Sequence, residues 1–150
     1  DVKASRGLGD VYKRQDDELT STINLLFDKY VANDFELSDY YADNVVARVN
    51  NQELNGYENL IAGYKAHHEL LYNDISIDDL YVHTNYFSNG EVWSNAWFTW
   101  SGVGKTTGEE YTNRAHFDYK WENGKIVELL AYYSEYADLK ESAALQATQE

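Results

Sequence analysis

His68 is the side chain of this sequence best suited to moving a proton. It falls on the apolar stripe of a predicted helix over 57–72, where Tyr57, Leu60, Ile61, Tyr64, His68 and Leu71 recur at three-to-four spacing. An imidazole titrates near neutrality, and burial or a nearby charge moves it across that range, so the position fits general acid–base chemistry. The plainer reading is a histidine packed near a helix end with one ring nitrogen hydrogen-bonded. On a regular helix His67 points elsewhere. His67, His68 and Glu69 lack the i, i+4 histidine pair of a zinc-binding helix, so the sequence calls for neither a metal nor an organic cofactor.

Arg114, His116 and Asp118 make a second charged row, alternating along one predicted strand with Ala115, Phe117, Tyr119 and Trp121. The aromatic face is the better candidate for an interior. The charged row then lies on the outer face of a sheet, where a second copy of the chain would dock. Trp93 and Trp97 share strand parity while Trp100 differs, so some aromatic surface is left for such a homodimer. Gly104-Lys105-Thr106 imitates a phosphate loop, but Thr99 stands where that pattern needs a glycine. The segment from Gly102 to Gly108 is read as a hairpin loop.

The elements that must hold these residues follow from periodicity. Asp16 and Asp17 precede a helical pattern of Leu19, Ile23, Leu26, Phe27, Tyr30 and Val31, which predicts a first helix ending near Asn33. A short second helix is predicted over Glu36 to Ala42, a strand over Asn44 to Val49, a turn at Asn50-Asn51 and a brief return around Leu54. After the third helix come strands over Ile75 to Phe87, Glu91 to Ser101, Glu109 to Trp121 and Ile126 to Tyr132, the last two joined at Asn123-Gly124. Residues from about Glu135 to Leu145 can form a terminal helix. The order α-α-β-β-α-β-β-β-β predicts an α+β fold: a curved, mixed, mostly antiparallel sheet covered by three helices of the N-terminal half and enclosing a conical cavity.

Composition sets the outer limits. The 150 residues amount to about one domain with a substantial core, and there is no cysteine. A net charge of −14 argues against nucleic acid, and no apolar run approaches the roughly 20 residues of a membrane span. A cytoplasmic setting is favoured. Ser5 to Gln15 (SRGLGDVYKRQ) has no clear helical or strand period and resembles adapter-derived read-through of metagenomic reading frames, so residues 1–15 are read as a leader and 16–150 as the domain. The leader holds four basic and two acidic residues, so the acidity belongs to the domain.

Lys29 to Val46 (KYVANDFELSDYYADNVV) resembles the helical entry and first strand of ketosteroid isomerases, and WENGKIVELLAYYSE, from Trp121 to Glu135, resembles the final hairpin of the nuclear transport factor two-like superfamily. That superfamily includes the SnoaL-like polyketide cyclases and limonene epoxide hydrolases. The resemblance covers Asp16 to about Leu139. It implies a cone-like fold, often dimeric through the sheet, and places Tyr30 where ketosteroid isomerases have an oxyanion-stabilising tyrosine. The general-base aspartate would fall at Val49 or Asn50, and its protonated aspartic acid partner near Phe117. The strand-end acid of SnoaL-like enzymes would fall at Ser134, with Glu135 one step on.

The expected site is therefore an aromatic pocket lined by Phe27, Tyr64, Phe117, Tyr119 and Tyr132, in which Tyr30 polarises an oxygen and His68 moves a proton on a small apolar molecule. The implied class is isomerase, cyclase or hydratase-type proton transfer. The absence of the family's aspartates supports the alternative, a non-catalytic dimeric ligand-binding or interaction module.

Overall fold

The computed structural model describes residues 11–14 and 17–150. In chain order the elements are β1 (Val11–Arg14), α1 (Glu18–Val31), β2 (Tyr41–Val49), β3 (Gln52–Asn55), α2 (Tyr57–Ala66), a π-helical turn (His67–Leu71), β4 (Tyr72–Phe87), β5 (Val92–Gly104), β6 (Glu110–Glu122), β7 (Lys125–Tyr132) and α3 (Tyr136–Thr148). The strands form one seven-stranded sheet in the order β1-β4-β5-β6-β7-β2-β3. Its ladders are antiparallel except for β2 beside β7. The fold is α+β with a mixed, mostly antiparallel sheet, as the periodicities require. No helix of the described residues is long and apolar enough to cross a membrane.

α1 forms because Asp17 caps it, accepting the Thr20 amide at 2.8 Å, and because Ile23, Leu26 and Phe27 fall on one buried stripe. The helix packs on β4 and β5. Asp16, the other expected cap, lies outside the described residues, as do residues 1–10 and Gln15 of the expected leader. Val11–Arg14 of that leader stretch instead pair with Thr84–Phe87 at the edge of β4. An exposed strand edge accepts any extended segment through main-chain groups, without needing a side-chain period.

The short helix expected over Glu36 to Ala42 does not form. The chain makes a tight turn over residues 38–40 and enters β2 at Tyr41. The Tyr57 hydroxyl accepts the Leu37 amide at 3.0 Å and donates to the Phe35 carbonyl at 3.2 Å, taking backbone groups that a helix would use. Phe35, Leu37 and Tyr41 are all buried, so this segment serves as a plug for the core. Two helices therefore come from the N-terminal half, and the third is α3.

The sheet curves at interruptions of its ladders, between Asn73 and Ser76 and between Asp78 and Tyr81 of β4, and again between Lys120 and Trp121 of β6. Asp74 and Asp79 take positive φ there, 54° and 52°. The β6–β7 hairpin turns on Asn123 and Gly124, with φ of 51° and 75°, the left-handed pair a two-residue turn demands. On the inner face Tyr119 and Trp121 are buried beside Ala96, Phe98 and Leu129, under the stripe of α1.

α3 is held differently, for it buries only Ala137 and Glu141. The Glu141 carboxylate accepts the Thr106 and Thr107 amides at 3.2 and 3.3 Å, the Thr107 hydroxyl, and the Tyr111 hydroxyl at 2.6 Å. Loss of water raises its pKa, but these donors outweigh that and hold the carboxyl below the ordinary range. A Cβ on Gly104 would lie 2.3 Å from this carboxylate, so the loop needs glycine there. The segment that imitates a phosphate loop is a hairpin loop, and the anion its amides cradle belongs to the protein.

Candidate active site

A cavity opens between α1, the π-helical turn, α3 and the inner face of the sheet. About 80 Å³ is open to the centre of a water molecule, room for on the order of half a dozen waters. Its walls are mostly aromatic, and one group of polar side chains in them is tied together by hydrogen bonds.

There the Tyr30 hydroxyl is the hub. It accepts a hydrogen bond from Trp100 Nε1 at 3.0 Å and meets His67 Nδ1 at 2.9 Å. His67 Nε2 faces Asp138 Oδ2 at 3.9 Å. Asp138 in turn accepts the Tyr72 hydroxyl on Oδ1 and the Tyr133 hydroxyl on Oδ2, the latter at 3.3 Å. The carboxylate favours the imidazole tautomer with its proton on Nε2, which leaves Nδ1 to accept the Tyr30 proton. Hydrogen bonds thus run from Trp100 through Tyr30 to His67, and the Asp138 carboxylate stands beyond, within electrostatic but not hydrogen-bonding reach of the ring.

Burial sets the protonation of this path. It pushes the His67 pKa down, outweighing the opposing pull of Asp138, so the ring is neutral at pH 7. Burial also pushes the Tyr30 and Tyr133 hydroxyls well above the ordinary phenol value, and Tyr64 up to about 12. Tyr72 moves the same way, chiefly by burial and further because it donates to Asp138. All four stay protonated at neutral pH; Tyr72 and Tyr133 donate to the Asp138 carboxylate, and Tyr30 donates to His67 Nδ1.

Of the expected lining residues, Phe27, Tyr64, Phe117 and Tyr119 face this cavity, together with Tyr30. Two expectations are corrected. His68 does not line the cavity; its Nε2 donates to the Tyr30 carbonyl at 2.7 Å, closing the C-terminal turn of α1. His67 occupies the inward place. The reason is the π-helical turn, in which the Tyr72 amide bonds the carbonyl of His67, five residues back, and the two rings meet edge to face at 5.9 Å. Tyr132 is the second correction. It pairs with His116 on the outer face and is half exposed, whereas Tyr133 lines the cavity. Inward positions of β7 are Leu129 and Ala131, and alternation continues them to Tyr133.

The acid expected on the sheet arrives from a helix. Phe117 lines the cavity as an apolar wall, and Ser134 is exposed with its backbone tied to Asn113. Asn50 turns the chain at φ 52° and accepts the Tyr133 amide. Asp138, in the first turn of α3, is the one carboxylate in the wall. Sequence reasoning missed it, along with His67, Tyr72, Trp100 and Tyr133. The available signals were the i, i+3 relation of Tyr64 to His67 and the parity difference of Trp100 from Trp97.

Residues 26–129 match the family described as the SnoaL-like domain. A proposed polyketide cyclase from a Silicibacter species superposes with a TM-score of 0.67 at 20% identity, over 82% of this chain and 93% of that one. A second from Pseudomonas putida gives 0.66 at 18% identity, over 79% and 93%. A protein of ketosteroid isomerase-like fold from Catenulispora acidiphila, in complex with trimethylamine, gives 0.56 at 16% identity, over 81% and 91%. At these identities the likeness is one of fold. No curated protein matches the chain.

Proposed function

Because this chain belongs to the SnoaL-like domain family, we propose that its cavity binds one small, largely apolar molecule by a single polar group and moves a proton on it without a cofactor. The carrying observation is the Tyr30–His67 contact at 2.9 Å with Asp138 behind it. The bound group sits between the Tyr30 hydroxyl, whose one proton turns from His67 Nδ1 to the ligand, and the Asp138 carboxylate, which accepts. His67 lies between them, 2.9 Å from the Tyr30 hydroxyl and 3.9 Å from the Asp138 carboxylate. Charge that develops on the ligand meets oriented donors in a site with little water, which is where such groups act most strongly. The reaction class is isomerase, cyclase or hydratase-type. The size of the cavity favours a ligand near the scale of the trimethylamine held by the structural relative over a polycyclic one.

A non-catalytic binding module is the second reading, and one observation favours it. The Tyr30 hydroxyl and the Asp138 carboxylate each have two protein partners already. Deuterium incorporation from D₂O into a panel of small cyclic ketones separates the two. The enzyme reading expects exchange next to the carbonyl to run above buffer and to fall at least a hundredfold in Tyr30→Phe and Asp138→Asn. Ligands that bind without any accelerated exchange would leave the binding module in its place.

The outer sheet face supports a homodimer as a companion proposal. Trp97, Tyr132 and Tyr81 are exposed there, with Trp97 stacked on His83 at 5.2 Å and tilted against His116 at 4.6 Å.

A further inference from the structure

The wall of the cavity is unbalanced in charge. Among the described residues Asp138 is its one carboxylate, and no lysine or arginine lines it. Among the described residues the hydrogen bonds to this carboxylate come from the neutral hydroxyls of Tyr72 and Tyr133. Its ion-pair neighbour is His67 at 3.9 Å, whose ring burial keeps neutral. A carboxylate drawn partly out of water is costly unless a full positive charge stands beside it. The N-terminal end of α3 offers a partial one. Among the described residues of the wall nothing supplies the rest of the charge.

The remaining walls suit an organic cation. Tyr30, Tyr64, Tyr72, Trp100, Phe117 and Tyr133 surround the space, and aromatic rings attract an ammonium group through their negative faces. A hard metal ion fits poorly, since it needs six or more oxygens and this wall supplies one carboxylate. The net charge of −14 concentrates small cations around the molecule and does the reverse for anions.

Resting on the reading of this cavity as the ligand site, we propose that the ligand is a small organic ammonium ion whose N–H donates to the free lone pairs of Asp138 and whose hydrocarbon body lies within the aromatic shell. Tyr30 then lines the flank of the ligand, and Asp138 selects for charge. The ligand supplies the countercharge that the fold withholds.

The test compares three molecules of one size. Cyclopentylamine is protonated at pH 7, while cyclopentanol and cyclopentanone are neutral. Affinities are measured by calorimetry, and the place of binding is read from the indole N–H resonances of the ¹⁵N-labelled protein. Trp100 reports the cavity, and Trp93 and Trp97 report the outer face. The ammonium ion should bind at least tenfold more tightly than cyclopentanol and should shift Trp100. Asp138→Asn should erase that preference and Asp138→Glu should keep it. The comparison in the unaltered protein stands even if Asp138→Asn does not fold. Cyclopentanol or cyclopentanone binding at Trp100 as tightly as the amine would overturn the charge proposal and leave the cavity reading intact. Shifts confined to Trp93 and Trp97, or no binding by any of the three, would overturn both.

Discussion

Tyr30 joins two side chains that have few other polar partners, and its removal is felt at both. Tyr30→Phe leaves the Trp100 indole N–H, which donates to it at 3.0 Å, without an acceptor. That should cost about 1–3 kcal/mol, measurable by urea unfolding. The two adjacent histidines should separate cleanly. His67→Ala removes the link to Asp138 and should abolish ligand effects at Trp100. His68→Ala frees the Tyr30 carbonyl and should lower stability by about 1 kcal/mol with ligand affinity changed less than about threefold. pH should report on His67 too. Its folded pKa is depressed by burial, so the stability of the neutral form is fully present above the unfolded value of about 6.5 and is lost as pH falls through the lowered folded value. His68 is lowered in the same direction by burial, so melting temperature should fall between pH 7 and pH 5, and His67→Ala should flatten part of the fall. Tyr30 was legible from its helical stripe and family resemblance. His67 was not, because 3.6-residue periodicity carries no sign of a π-helical turn.

At the scale of elements, α3 does more than its composition suggests. Its apolar stripe is weak, and Glu141 anchors it to the loop between β5 and β6 through four donors. Glu141→Gln keeps the shape but loses the charge those donors favour. It should lower the melting temperature by roughly 3–10 °C, speed amide exchange along α3, and weaken ligand binding by loosening Asp138. Unchanged exchange in α3 would contradict this anchoring role. Strands and the Asn123-Gly124 turn were legible because alternation and positive-φ residue types are local signals. The expected helix over Glu36 to Ala42 failed because a distant hydroxyl, that of Tyr57, decides those backbone bonds. Asp138 stayed hidden for a related reason. The resemblance directed attention to acids on strands, where Phe117 and Ser134 stand, and a carboxylate on a weakly amphipathic helix announces nothing by its spacing.

The whole molecule is a curved sheet with two unlike faces. The inner face closes under α1 and the plug of Phe35 and Leu37 to leave the cavity, and the outer face keeps Trp97, Tyr132 and Tyr81 exposed. A homodimer across the outer face should scatter light as twice the chain mass, and Trp97→Asp should yield a monomer that keeps ligand binding. A monomeric unaltered protein at high micromolar concentration would remove the dimer from this account. The fold class and the family were legible over most of the chain because they rest on the order of elements. The chemistry of the cavity was legible only in part, since it depends on residues that three separate elements bring together. A crystal structure of the protein soaked with cyclopentylamine or cyclopentanone tests the central claim most directly. Ligand density should lie within the cavity, in hydrogen-bonding reach of Asp138 or Tyr30 and beside Trp100. Density confined to the outer face around Trp97, with the cavity empty, would contradict it.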